Sequence, residues 1–133
     1  MSDAMFHLFV YGTLRKNGSA AHMMSGCEHL GSATVGGVLY DIDGEFPALV
    51  LYGKAPVRGE VWRCPSRMLP ELDRYERVSS ELFRRVAVTA KLETGDSAAC
   101  WVYVAGPGLA PKLTPERHVN GWPPIPERIP HGS

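Results

Sequence analysis

One carboxylate and one glycine turn are the residues of this chain best placed to do chemistry. Leu69, Leu72 and Glu76 are spaced by three and then four residues within Ser66–Val78, a stretch whose pattern predicts the chain's one convincing helix. Those spacings bring all three side chains to one side of a helix. Glu71, Asp73, Arg74 and Arg77 take the remaining surface, so Leu69 and Leu72 are expected to face the core. Glu76 then stands at the edge of their apolar stripe, one turn on. A carboxylate there loses part of its hydration, which disfavours the charged form and raises its pKa. Proton transfer near neutral pH needs such a carboxyl group. The same spacing also fits a glutamate on the margin of the stripe, paired with Arg84 or Arg85 and without chemistry.

The second feature is Tyr11-Gly12-Thr13-Leu14-Arg15, which runs off the end of a β-like segment, Phe6 to Tyr11. A glycine there permits a tight turn that bares successive backbone amides, and such a turn makes an anion-binding nest. Thr13 adds a hydroxyl; Arg15 and Lys16 add positive charge. A ligand carrying a carboxylate suits this loop, although a plain strand-ending turn fits it too. It is no nucleotide-binding P-loop, because the G-x-x-x-x-G-K-[ST] spacing is missing. Tyr11 fits either a pocket wall or the core.

Other chemistries find less support. His7, His22, His29, His118 and His131 show no H-E-x-x-H spacing, and with Cys27, Cys64 and Cys100 they form no Cys/His cluster, so no metal site is expected. The three cysteines include no C-x-x-C pair and read as free, buried thiols of a reducing compartment. No serine has a G-x-S-x-G context. Fourteen basic residues balance fourteen acidic ones, so neither nucleic acid nor an anionic membrane is an expected partner. Trp62, Trp101 and Tyr103 are accordingly read as core rather than as base-stacking platforms. The apolar run from Met5 to Val10 is too short for a signal peptide or a membrane span, and a cytoplasmic protein is expected.

The elements that must hold these groups are mostly strands. Phe6–Tyr11, Val35–Ile42, Phe46–Leu51, Val57–Arg63, Phe83–Leu92 and Ala98–Val104 carry β-forming residues, most of them alternating. Gly36-Gly37 suggests a bulge or barrel corner, Asp43-Gly44 a tight turn, and Glu93-Thr94-Gly95-Asp96 a hairpin loop. Ala20–Met24 has room for one or two helical turns. Seven of the eleven prolines lie between Pro107 and Pro130. The expectation is an α+β fold: a small mixed β-barrel domain over residues 1–106 with one or two short helices. An extended proline-rich tail over 107–133 follows, either packed on the barrel through Trp122, Ile125 and Ile129 or disordered.

Taken together and in order, these segments resemble the γ-glutamylcyclotransferase-like superfamily, which includes γ-glutamylamine cyclotransferase and the AIG2-like proteins. Tyr11-Gly12-Thr13-Leu14 is similar to its Y-G-[ST]-L signature, Phe46-Pro47-Ala48-Leu49 to its y-P-A-l strand, and Val57-Arg58-Gly59-Glu60-Val61-Trp62 to its V-x-G-E strand. Leu72-Asp73-Arg74-Tyr75-Glu76 resembles its L-D-x-[FLY]-E, whose glutamate is the family's catalytic acid/base. Phe83-Arg84-Arg85 stands where the family writes Y-x-R, and Trp101-Val102-Tyr103 matches its last core strand. The resemblance covers roughly residues 7–104. Three positions depart from it: Arg77 replaces a common glycine, Phe83 a tyrosine, and Asn120-Gly121-Trp122 a Gly-Asp-Trp.

The resemblance implies an intramolecular aminolysis, in which a γ-glutamyl amine or peptide closes to 5-oxoproline and releases an amine. The nucleophile belongs to the substrate, where well-oriented ring closures reach effective concentrations of ~10⁵–10⁸ M. No metal or cofactor is needed. The implied roles are Glu76 as general acid/base, with Tyr11, Gly12, Thr13, Leu14 and Arg85 binding a small γ-glutamyl substrate, in a monomer or weak homodimer. A non-catalytic carboxylate-binding protein of the same fold is the other reading.

Overall fold

Strand alternation divides the hydrophobic side chains of this protein between two cores. The computed structural model describes residues 4–122. On β1 (Met5–Val10), Phe9 points into one cluster, while Leu8 and Val10 point into the other. β7 (Ser97–Ala105) repeats the division, with Cys100, Val102 and Val104 on one side and Tyr103 on the other. Successive side chains of a strand face opposite ways, so each strand serves as a wall between the two layers.

The first layer is a closed barrel with strand order β1, β5 (Pro56–Pro65), β2 (Glu28–Gly36), β6 (Phe83–Leu92), β7. Its seam is a parallel pairing of β1 with β7, Leu8 opposite Trp101 and Phe9 opposite Val102. Closure leaves no free sheet edge. Phe9, Val61, Val102 and Ala90 fill the interior. The second layer is a three-stranded sheet of order β4 (Phe46–Val50), β3 (Val38–Ile42), β8 (His118–Val119).

The segment expected as one strand from Val35 to Ile42 is two strands in two sheets. Gly37, between β2 and β3, marks the change: a Cβ there would lie 2.8 Å from the Val50 carbonyl oxygen and from Leu49 Cδ1. β2 also begins at Glu28, seven residues before the expected strand; that first part is largely exposed and lacks the alternation that reveals a strand. Asp43 (φ 57°) and Gly44 (φ 75°) make the β3–β4 turn, as the Asp-Gly pair predicts. The β6–β7 hairpin turns through Glu93–Asp96, with the Leu92 amide donating to the Asp96 carbonyl at 2.8 Å.

The described part of the proline-rich segment is packed on the body. It forms 3₁₀ turns at Pro107–Lys112 and Pro115–Arg117, then β8, which pairs with β3. Lys112 and Arg117 both bond to the Asp43 carboxylate, and Trp122 packs against the barrel cluster. Ile125 and Ile129 lie outside the described residues. Cys64 and Cys100 are buried free thiols, whereas Cys27 is only partly buried. No helix among the described residues is long and apolar enough to cross a membrane.

Candidate active site

The helix bearing the carboxylate is shorter than the pattern predicts. A 3₁₀ turn over Ser66–Met68 leads into α1 (Leu69–Tyr75), with Pro70 in the first turn, where a missing amide is harmless. Glu76 caps the C-terminal end, its amide donating to the Leu72 carbonyl at 2.9 Å. Arg77 then takes a left-handed conformation (φ 53°, ψ 46°), which stops the helix. Leu72 is fully buried, whereas Leu69 is only half-buried. Glu76 is thus held at a helix terminus rather than along a helix flank.

Beside it lies a cavity of about 380 Å³. One wall is the loop after β1, with Tyr11, Gly12, Thr13 and Leu14; Glu45, Phe46 and Pro47 come from the β3–β4 hairpin. Tyr75, Glu76 and Arg77 close the side nearest α1, and Phe83 and Tyr103 form the floor. Glu76 makes no ion pair with Arg84 or Arg85. Burial alone pushes its carboxyl up to about 7. A group with that pKa is populated in both forms at neutral pH, the condition for taking and returning a proton.

Gly12 is required by packing rather than by an unusual φ. A Cβ at that position would lie 2.6 Å from Pro47 Cγ, so the loop rests directly on the β4 proline. The Arg15 amide donates to the Gly12 carbonyl and the Ala20 amide to the Thr13 carbonyl, which fixes the curl. Glu60 pins its far side, accepting from the Lys16 amide at 2.8 Å and from Trp62 Nε1 at 3.1 Å. The amides of Gly12, Thr13 and Leu14 donate to no described residue. Thr13 Oγ1 and the Tyr75 hydroxyl share a bond of 2.8 Å, a clasp between loop and helix end.

Tyr11 is both core and wall. It is buried, and its hydroxyl donates to the Tyr103 carbonyl at 2.5 Å while accepting from the Leu49 amide at 3.1 Å. Burial first, and the nearby Glu76 charge second, push its phenol pKa far up. It stays a neutral phenol whose one proton is already committed.

Arg85 does not line the cavity. Its Nε and Nη2 grip Asp73 Oδ1 and Oδ2 at 2.9 and 3.2 Å, and its guanidinium stacks over Trp101 at 4.5 Å. Its partner is instead Asp73, in an ion pair that joins β6 to α1. Through Asp73, which also accepts from the Tyr103 hydroxyl at 2.6 Å, Arg85 braces a residue of the cavity floor.

Residues 8–126 match the family model described as gamma-glutamyl cyclotransferase, AIG2-like. The chain belongs to that family. In Escherichia coli K12, the gamma-glutamylcyclotransferase family protein YtfP is 32% identical over 98 residues, which is 73% of this chain and 80% of that one. The crystal structure of an AIG2-like protein from Mus musculus shares the fold, with a TM-score of 0.71, 24% identity, and coverage of 89% of this chain and 88% of that one. A protein of Pyrococcus horikoshii shares it as well, with a TM-score of 0.64, 21% identity and 86% coverage of each chain.

For this member of the cyclotransferase family, sequence reasoning did not reach Glu45, Tyr75 or Tyr103 as parts of the cavity. Tyr75 and Tyr103 each sit within a segment that resembles a family motif, yet their facing directions depend on where α1 ends and how β7 is registered. Glu45 gave no signal beyond following a turn. Among the described residues, no three His, Cys, Asp or Glu side chains gather into a metal-binding group.

Proposed function

We propose that the protein is a cyclotransferase that converts γ-glutamyl amides to 5-oxoproline, with Glu76 moving the protons. The observation that carries this reading is the Glu76 carboxyl, held in a half-dry cavity at about 7 and opposite the loop after β1. Family membership supports the reaction class; the cavity supports the roles.

The substrate's α-ammonium gives a proton to ionised Glu76, and the freed amine attacks its own γ-carbonyl. A carbon–nitrogen bond forms there, and the amide bond to the leaving group breaks. Two protons leave the α-nitrogen in all, and both end on the departing amine by way of Glu76. No electrons change hands and no second reactant enters. The free amides of Gly12, Thr13 and Leu14 hold the substrate's α-carboxylate or the developing oxyanion. Tyr11 and Tyr103 shape the wall against which the glutamyl chain folds.

The test is release of 5-oxoproline from a panel of γ-glutamyl amines and γ-glutamyl amino acids, with Glu76→Gln beside the parent protein. Gln keeps the size and polarity but cannot shuttle a proton. Turnover by the parent and its loss in the variant is the expected result; equal turnover by both removes Glu76 from the mechanism. Binding without turnover by either would make the protein a carboxylate-binding module.

A further inference from the structure

Arg77 occupies a backbone site that suits glycine. Its φ of 53° and ψ of 46° lie in the left-handed region, which disfavours any residue with a Cβ. The conformation is imposed by its surroundings. The Arg77 amide donates to the Arg74 carbonyl at 3.1 Å, and the Arg77 carbonyl accepts from Ser80 and Leu82 at 3.1 and 3.2 Å. Nothing in this turn calls for a long cationic side chain, and a glycine would adopt it without strain.

The side chain is nevertheless well placed for binding. Arg77 lines the cavity beside Glu76, and it is the one cation among the described residues that do so. The other candidate cations are engaged elsewhere: Arg15 bonds to the carbonyls of Gly12 and Trp122, and Arg85 to Asp73. Arg77 makes no ion pair among the described residues, although Glu45 and Glu76 border the same cavity. A free guanidinium at a cavity mouth is a fork suited to a carboxylate.

Depth decides which carboxylate it meets. The reacting nitrogen and carbon must reach half-buried Glu76, and the α-carboxylate of the glutamyl part, attached to the carbon that bears that nitrogen, stays at the same depth. Arg77 is exposed, so it reaches the portion of the substrate that projects toward solvent: the leaving group. We propose that Arg77 is the specificity residue of the cavity, selecting γ-glutamyl substrates whose leaving amine carries a carboxylate over those whose leaving amine is uncharged. The inference rests on the cyclotransferase reading and adds the substrate class to it.

The test compares γ-glutamyl-alanine with γ-glutamyl-alaninamide, which differ by one charge and hardly in size. The readout is the ratio of kcat/KM for the two, measured for the parent, Arg77→Gly and Arg77→Lys. The parent prefers the carboxylate, Arg77→Gly lowers that preference about tenfold, and Arg77→Lys retains part of it. Rising salt erodes the parent's preference but not that of Arg77→Gly. An unchanged ratio in Arg77→Gly overturns the proposal. Calorimetric affinities for the same pair, measured in Glu76→Gln with and without Arg77→Gly, give the same comparison without turnover. A parent that releases no 5-oxoproline would then sink the catalytic reading, while the affinity ratio still decides the role of Arg77.

Discussion

Two acids three residues apart meet opposite fates in this protein. Asp73 lies on α1 and Glu76 at its end; one faces β6 and β7, the other the cavity. Burial works against ionisation of Asp73, but the hydrogen bonds from Arg85 and Tyr103 outweigh it and hold its carboxyl below the usual carboxylate range. Glu76 has burial without such donors, and its carboxyl rises to about 7. Partners, not depth alone, set the charge. A carboxylate clamped by an arginine is a brace; one left without donors in a half-dry recess is able to exchange protons. The loop repeats the contrast, since Glu60 is occupied by the donors that pin it.

The sharpest way to break this comparison is to disable the unpaired acid. Glu76→Gln is expected to lower kcat for 5-oxoproline release by about 10²–10⁴ with little change in KM, the usual range for a general acid/base. Steady-state kinetics on one γ-glutamyl substrate checks it.

The next largest effects are on stability, and they run in opposite directions. The Glu76 carboxyl has a folded-state pKa near 7 against 4.5 for the ordinary group, so folding favours its protonated form. Its ionisation therefore destabilises the fold increasingly from about pH 4.5 to pH 7, and by a constant amount above that. Glu76→Gln should match the parent near pH 4 and exceed it by about 3 kcal/mol at pH 8 in urea unfolding. Asp73 behaves in the reverse sense. Its folded-state pKa lies below 3.8, so its contribution is present above that pH and is lost as pH falls through the lowered value. Asp73→Ala should cost about 1–2 kcal/mol at neutral pH, releasing Arg85 and Tyr103, with the difference narrowing in acid. Parallel pH profiles for the two variants would erase the distinction between brace and proton carrier.

The smallest expected effect is at Arg77. Replacing it with glycine relieves the left-handed strain, and the gain should be about 1 kcal/mol or a few degrees of melting temperature. A scanning-calorimetry comparison with the parent checks it. Greater stability together with weaker discrimination between leaving groups would show strain retained for function.

Much of this site was readable before the structure, because its signals are local. The 3–4 spacing of Leu69, Leu72 and Glu76 needs only helix geometry, and Asp43-Gly44 declares its turn through its own backbone preferences. The barrel strands β1, β6 and β7 show in their β-forming residues and turns. What stayed hidden is set by distant chain segments. Arg85 chooses Asp73 because the registers of α1 and β6 bring them together, and sequence spacing alone also allowed a pairing with Glu76. The helix ends at Tyr75 because Arg77 adopts a conformation that its residue type does not advertise. The early part of β2 pairs through its backbone with β5 while exposing most side chains, so it leaves no alternation to read.

The most direct test of the central claim is the titration of Glu76 itself, followed by the chemical shift of its side-chain carboxyl carbon in the labelled protein, with Glu76→Gln assigning the resonance. A midpoint near 7 is the result this account predicts. A midpoint near the ordinary 4.5 would place that carboxylate in water-like surroundings and contradict it.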